Sequence, residues 1–267
     1  MIPSPDVSAL LDAAHVVREG DGPPLALAHG AGGGVNLNFA PLMEASKSDR
    51  TLIGMNYPGS GGSPMATAPL NLEELADAVV EAMVRAGHER FPVLGLSLGT
   101  AVAVTAAVRH PERVTGLVLT VGLAKSDAQS DGFLALWRRL AELEEWDGLA
   151  NLMINAASPD VLTALTPELR AVALAQALEN YPEGGAEQAV LAASVDVEHL
   201  LSQVSVPTLV VVAGQDRIVL PSTTRALGAG IAGAEVLEYP NAGHIFTPDE
   251  TVRWIEDVAS FLARHEL

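Results

Sequence analysis

The sequence contains no cysteine among its 267 residues, and lysine occurs only at positions 47 and 125. The absence of cysteine excludes disulfide bonds, thiolate metal sites and a cysteine nucleophile. Acidic residues dominate the charge, because Asp and Glu total 33 against 15 for Lys and Arg, which gives a formal net charge of −18. A field of that sign repels nucleic acid and anionic membranes, so neither is an expected partner.

Long apolar runs and an N-terminal targeting pattern are also lacking. No stretch approaches the roughly 18 apolar residues of a membrane helix, and residues 1–6 carry neither the basic residues nor the apolar core of a signal peptide. We therefore expect a cytoplasmic protein. The length suits one α/β domain with an insertion, and it leaves a homo-oligomer open.

Ser97 lies between two glycines in the segment Gly95-Leu96-Ser97-Leu98-Gly99. An apolar run precedes the segment and a helical pattern follows it, which predicts a strand, a sharp turn and a helix. A serine in such a turn presents its hydroxyl outward, and the Leu98 amide stays unpaired at the helix N-terminus. Because G-x-S-x-G also occurs by chance, a nucleophilic Ser97 requires a base and an acid elsewhere in the chain.

Asp216 and His244 supply that acid and that base. Asp216 follows the apolar run at 207–213, and His244 follows the run at 234–239. Open parallel sheets collect their chemistry at the carboxyl edge, so both side chains are expected near Ser97. Glu238 lies within its own strand, which favours Asp216 as the acid.

Two glycine-rich loops follow predicted strands at 24–28 and 51–55. The first loop, His29-Gly30-Ala31-Gly32-Gly33-Gly34, fits neither G-x-G-x-x-G nor the lysine-containing P-loop, which disfavours a nucleotide site. The second loop spans residues 56–63. A structural role, in which it hydrogen-bonds its loop, is sufficient to explain His29.

Together these four segments resemble the α/β-hydrolase superfamily, in which nucleophile, acid and base follow each other in this order. The resemblance implies an α/β fold, with a mostly parallel sheet and helices on both faces. It also implies an oxyanion hole formed by the amides of Ala31 and Leu98, with Gly32 as the alternative to Ala31. Asn56 and Ser60 depart from the superfamily's second loop, which usually has Asp and His there, but that loop is scaffold.

Strand signals vanish between about Leu123 and Val206, where amphipathic patterns predict helices at 133–149, 169–178 and 187–201. In the superfamily such an insertion folds as a helical lid. We therefore divide the chain into a core of residues 1–122 and 207–267 and a lid of residues 123–206.

The lid and the first loop offer candidates for a substrate pocket, namely Gly32, Trp137, Trp146, Met153 and Tyr181. Each of the lid residues could instead simply pack the lid on the sheet. The adjacent Arg138 and Arg139 could bind an acidic substrate, although at most one of them is expected to face inward.

The last helix is expected to begin after Thr247, with Pro248 at its first position and Glu250 completing a capping box. Its predicted inward positions are Val252, Ile255, Val258, Phe261 and Leu262.

The resemblance implies hydrolysis of a small or medium carboxylic ester, lactone or thioester through an acyl-enzyme on Ser97. The substrate is expected to be an apolar, acyl-bearing small molecule. No cofactor and no metal are expected, since no histidine has ligand spacing. The same triad also serves C–C bond hydrolases, lyases and cofactor-independent haloperoxidases or perhydrolases. A ligand-binding sensor with low turnover is the alternative from another class.

Overall fold

Continuous apolar runs form the central strands, because strands that are covered on both faces lose the polar alternation of a half-exposed strand. The computed structural model describes residues 5–267. Its strands are β1 (Val16–Glu19), β2 (Pro24–Ala28), β3 (Thr51–Met55), β4 (Phe91–Leu96), β5 (Val114–Thr120), β6 (Thr208–Ala213) and β7 (Glu235–Tyr239). The strands predicted at 24–28 and 51–55 are confirmed as β2 and β3. The signal-peptide prediction concerned residues 1–6, of which residues 1–4 lie outside the described residues.

Within that range the strands form one sheet in the order β1-β3-β2-β4-β5-β6-β7. β1 is antiparallel to β3, and the other described pairs are parallel. The carboxyl ends of β2, β4, β6 and β7 therefore meet at one edge of the sheet. The predicted α/β class, with its mostly parallel sheet, is confirmed.

Helices cover both faces of this sheet. Outside the region between β5 and β6, they are α1 (Pro5–Ala13), α2 (Val35–Ser46), α3 (Leu72–Arg85), α4 (Leu98–Arg109), α11 (Pro221–Gly230) and α12 (Pro248–Arg264). Alternate residues of β2 belong to different cores: Ala26 and Ala28 pack with α3 and α4, while Leu25 and Leu27 pack with α2 and α12.

Between β5 and β6 the chain forms α5 (Ala128–Glu142), α6 (Trp146–Ile154), α7 (Pro159–Ala164), α8 (Pro167–Glu179), α9 (Gly185–Ala193) and α10 (Glu198–Leu201). We call this segment the helical insertion. A single helix over 133–149 is wrong, because the chain breaks at Glu144, whose φ is 55°. A single helix over 187–201 is also wrong, since Asp196 leaves the helical path and forms a β-bridge with Lys125.

The predicted capping box of α12 is confirmed, with Thr247 and Glu250 bonding reciprocally. Val252 is wrong as an inward position, because it is 58% exposed. Trp254 is buried instead and donates from Nε1 to Thr120 Oγ1 at 3.0 Å. Val252 lies two residues before Trp254, which is about 200° around the helix and therefore on the opposite face.

Candidate active site

Ser97 forms the turn between β4 and α4, with φ of 53° and ψ of −119°. This region of backbone conformation is strained for a residue with a side chain, and it persists where the surroundings enforce it. Close packing enforces it here. A Cβ on Gly99 would overlap the carbonyl oxygen of Ala28, and a Cβ on Gly95 would overlap that of Gly99. Only glycine fits either position, as the sequence pattern predicts.

Asp216, His244 and Ser97 are joined by a chain of hydrogen bonds. Asp216 Oδ2 is 2.7 Å from His244 Nδ1, and His244 Nε2 is 3.1 Å from Ser97 Oγ. Asp216 Oδ1 also accepts the amides of Ile218 and Val219 at 2.8 and 3.0 Å. A carboxylate on Nδ1 favours the tautomer that carries its proton there, which leaves Nε2 free to accept the proton of Ser97.

Burial strengthens this arrangement. The His244 side chain is 9% exposed and that of Asp216 is 1% exposed, so the attraction between imidazolium and carboxylate is weakly screened by water. Glu238, the competing carboxylate, pairs instead with Arg225 at the surface, 2.5 Å away. The chain can therefore move a proton from Ser97 to His244 while Asp216 holds the ring.

The backbone amides of Ala31 and Leu98, beside Ser97, have no hydrogen-bond partner among residues 5–267. Leu98 is the first residue of α4, so its amide belongs to the unpaired N-terminal turn of that helix. Ala31 lies in the loop after β2 and lines the same cavity as Ser97. Unpaired amides at such a position can stabilise a negative oxygen.

The amide of Gly32 is already engaged. It donates to Gln188 Oε1, on α9 of the helical insertion, at 2.9 Å. Gly32 itself has a φ of 66°, and a Cβ there would overlap the ring of Trp137. Of the two loop amides considered from the sequence, the one at Ala31 is the unpaired one.

His29 is fully buried and holds the loop after β2 in place. Its Nε2 accepts the amide of Tyr57 at 2.8 Å, so the proton lies on Nδ1, which donates to Gly30 O at 2.8 Å. The rings of His29 and Tyr57 stack at 3.7 Å. Burial lowers the pKa of His29 from 6.5 to about 4, so the neutral imidazole is the form that fits. The hydrogen-bonding role predicted for His29 is confirmed.

A cavity of about 570 Å³ opens above Ser97 and His244. Trp137, Met153 and Tyr181 line it from the helical insertion, and Gly32 lines it from the core. No Asp, Glu, Lys or Arg is found among the lining residues of the described chain. Its size falls within the range of small-molecule sites.

Trp146 lies outside this cavity, so the sequence prediction for it is wrong. Its side chain is 44% exposed and packs against Tyr181 with ring centroids 6.1 Å apart. Trp146 is the first residue of α6, and the break at Glu144 turns that helix away from the direction of α5. Arg138 and Arg139 both pair with Glu142 in solvent, and neither lines the cavity.

Sequence reasoning missed Gln188. Its side chain is fully buried and contacts the loops after β2 and β3, although it lies 156 residues from Gly32 in the chain. A glutamine within a helical pattern carries no signal of such a contact. The only hint was that Gln188 occupies an otherwise apolar face of its helix, beside Ala189, Leu191 and Ala192.

Residues 5–267 contain no group of three or more His, Cys, Asp or Glu side chains placed to hold a metal ion. Among the helices of the same range, none has both the length and the apolar character needed to cross a membrane.

A family model described as alpha/beta hydrolase fold matches residues 23–251. Pyrrolizixenacetamide deacetylase of Xenorhabdus hominickii is 30% identical over 251 residues, covering 93% of this chain and 94% of that protein. The pimeloyl-[acyl-carrier protein] methyl ester esterase of Neisseria meningitidis serogroup C is 29% identical over 242 residues, covering 82% and 85%. The crystal structure of the enol-lactonase from Burkholderia xenovorans LB400 has a TM-score of 0.81 at 23% identity, covering 94% of this chain and 96% of that one. The similarity to the enol-lactonase is a similarity of fold alone.

Proposed function

Because the chain belongs to the α/β-hydrolase family and is a hydrolase, we propose that it cleaves an uncharged, apolar carboxylic ester, lactone or thioester through an acyl-enzyme on Ser97. The observation that carries this proposal is the chain of hydrogen bonds from Asp216 through His244 to Ser97. It lies beside the unpaired amides of Ala31 and Leu98. A binding protein has no need of a base within reach of a strained serine.

In the proposed first half-reaction, Ser97 Oγ attacks the carbonyl carbon while His244 Nε2 takes its proton. Asp216 stabilises the resulting imidazolium through the buried contact at Nδ1. The carbonyl oxygen becomes negative as the tetrahedral intermediate forms, and the amides of Ala31 and Leu98 bind it. His244 then donates its proton to the leaving oxygen or sulfur, and the acyl group remains on Ser97.

In the second half-reaction water replaces the leaving group. His244 removes a proton from that water, the hydroxide oxygen attacks the acyl carbon, and the same amides hold the oxyanion. Collapse of the intermediate returns the proton to Ser97 and releases the carboxylic acid. The reaction needs no group beyond these side chains, the two amides and water.

The cavity lining supports an uncharged acyl group. A carboxylate on the substrate would be buried without a cation to pair with it, which is costly in an apolar site. The formal charge of −18 adds repulsion toward an anionic substrate as it approaches. This arrangement favours a neutral alkyl or aryl acyl group and disfavours a dicarboxylic half-ester.

A matched pair of chromogenic esters tests both parts of the proposal. We expect p-nitrophenyl valerate to be turned over repeatedly and p-nitrophenyl hemisuccinate, of similar length, to show kcat/KM lower by about 100-fold or more. A fluorophosphonate probe should label the parent on Ser97, while Ser97→Ala should lose labelling and about 1000-fold or more of kcat.

Three outcomes would contradict different parts of the proposal. If Ser97→Ala keeps activity within tenfold of the parent, Ser97 is not the nucleophile. If the two esters have equal kcat/KM, the preference for an uncharged acyl group is wrong, while the assignment of Ser97 is unaffected. A single stoichiometric burst without turnover would favour a ligand-binding sensor.

A further inference from the structure

Gln188 joins the helical insertion to the loop that carries the Ala31 amide. Its Oε1 accepts the amide of Gly32 at 2.9 Å, and its Nε2 donates to Pro58 O at 3.0 Å and to Ser60 Oγ at 2.8 Å. The orientation of the side-chain amide is determined by its partners, because the amide of Gly32 only donates and the carbonyl of Pro58 only accepts. Both Nε2 hydrogens are therefore used.

Close contact between the backbones of Gly184 and Gly59 supports the Gln188 contact. The amide of Gly184, just before α9, donates to Gly59 O at 3.1 Å. A Cβ on Gly59 would overlap the backbone of Gly184, and a Cβ on Gly184 would overlap Pro58 O. The start of α9 is thus fixed against the loop after β3, which fixes the place from which Gln188 reaches the loop after β2.

Ala31 lies between two peptide planes, and each is held from a different side. The carbonyl of Gly30 accepts from His29 Nδ1 at 2.8 Å and from the amide of Gly33 at 3.2 Å. In a trans peptide the carbonyl and the amide point in opposite directions, so these bonds direct the Ala31 amide away from His29. The next plane, between Ala31 and Gly32, is held by Gln188 through the Gly32 amide.

This loop needs such support because of its composition. Four of its six residues between His29 and Gly34 are glycine, which has many accessible backbone conformations. Trp137 limits one side of the loop, since it packs against the Cα of Gly32. Trp137 makes no hydrogen bond to the loop, however, because its Nε1 donates to Tyr181 Oη at 2.9 Å. Of the insertion residues described, Gln188 is the one that fixes a peptide plane of the loop after β2 by a hydrogen bond.

We infer that Gln188 is a positioning residue for the oxyanion hole, supplied by the helical insertion to the core. This inference rests on the proposed function, because the position of the Ala31 amide matters only if that amide binds the oxyanion. The insertion then acts on the rate of the chemical step as well as on substrate choice. Loss of the Gly32 contact should weaken binding of the transition state more than binding of the substrate.

The test compares Gln188→Met, which keeps the length and the apolar bulk of the side chain, with Ser60→Ala. Ser60→Ala removes a partner of Nε2 and leaves the Oε1 contact with Gly32 intact, so it controls for disturbance of the insertion. We expect Gln188→Met to lower kcat for p-nitrophenyl valerate by about 10- to 100-fold at little changed KM. Ser60→Ala should stay within about threefold of the parent.

Binding of an alkyl trifluoromethyl ketone gives a readout that a merely structural role would not move. Its adduct with Ser97 places an oxyanion where the transition state has one, so its affinity should fall by the same factor as kcat/KM in Gln188→Met. Titration of active sites with a fluorophosphonate gives kcat per competent molecule. A purely structural residue would lower the titrated fraction and leave kcat per site and ketone affinity unchanged.

The outcomes separate this inference from the proposed function. If the parent is labelled on Ser97 but Gln188→Met keeps kcat per site and ketone affinity within threefold, Gln188 does not position the loop. A higher KM at unchanged kcat would likewise overturn the inference. If the parent itself is not labelled, the proposed function fails first. Should Gln188→Met not fold, Gln188→Asn, which keeps the amide but falls short of Gly32, is held to the same criteria.

Discussion

Gly99 packs so closely against Ala28 that a Cβ at position 99 would overlap the Ala28 carbonyl oxygen. Gly99 lies in the first turn of α4, and Ala28 is the last residue of β2. The contact therefore brings the helix that begins after Ser97 against the strand that leads into the Ala31 loop. Leu98 is the first residue of that helix and Ala31 lies in the loop that follows that strand, so this packing sets how far apart the two elements lie that lead to the candidate oxyanion-hole amides.

The strained backbone of Ser97 predicts an opposition between stability and activity. Ser97→Gly relieves the unfavourable φ of 53°, whereas Ser97→Ala keeps it. We expect Ser97→Gly to have a free energy of unfolding about 1 kcal/mol higher than Ser97→Ala, after the greater flexibility of glycine in the unfolded chain is counted. Urea denaturation of both inactive variants measures this difference. A lower value for Ser97→Gly would show that the turn is not strained.

The acid of the proposed triad can be tested against Glu238, a carboxylate in the strand that precedes His244. Asp216→Asn should lower kcat by about 1000-fold or more, because an amide oxygen or nitrogen no longer holds the His244 tautomer or stabilises its charged form. Glu238→Gln is the matched control, since Glu238 pairs with Arg225 at the surface. Steady-state kinetics of both variants on one ester suffices. A greater loss in Glu238→Gln than in Asp216→Asn would reassign the acid.

The burial of neutral His29 predicts a loss of stability in acid. Its pKa is about 4 in the fold and 6.5 as an unperturbed group, so the unfolded chain takes up a proton first as the pH falls. The His29 contribution is therefore complete above pH 6.5 and is lost progressively down to about pH 4, amounting to about 3 kcal/mol. His29→Asn should remove this part of the pH dependence of the free energy of unfolding.

His199→Asn, which replaces an exposed histidine, is carried through the same denaturation series as a control for the loss of a histidine elsewhere in the chain. If His29→Asn and the parent lose the same free energy between pH 6.5 and 4, burial of His29 does not contribute to acid sensitivity.

The cavity lining predicts where acyl-chain preference is determined. Met153 lines the cavity from α6, and Met153→Ala should shift the preferred p-nitrophenyl ester toward longer chains, because it lengthens the apolar space. Trp146→Ala is the control on the same helix, since Trp146 lies outside the cavity. We expect unchanged fluorophosphonate labelling of Ser97 in both. An unchanged ranking of chain lengths in Met153→Ala would contradict this role for the insertion.

The sequence predicted the core sheet well because both its strands and its chemistry follow local rules. Buried parallel strands appear as continuous apolar runs, and a polar residue just after such a run lies at the carboxyl edge of the sheet. These rules were enough to predict that Ser97, Asp216 and His244 lie close together. The capping signals of α12 were equally local, and they located its first turn.

The helical insertion was predicted less well, because its structure depends on contacts that no local pattern records. Periodicity continued through Glu144, although the chain adopts a left-handed conformation there. Trp146 therefore lies outside the cavity. Val252 and Trp254 are both apolar, so hydropathy alone could not tell which of them faces the sheet. The contact of Gln188 with Gly32 follows from tertiary packing alone.

The glycine pair at positions 59 and 184 limits how this protein can diverge. The core meets the helical insertion where the backbones of Gly59 and Gly184 are in direct contact. A transplanted insertion would need glycine where Gly184 lies and an amide side chain one helical turn later, where Gln188 lies. We therefore expect recombination of specificities on this core to succeed with donors that already carry both residues.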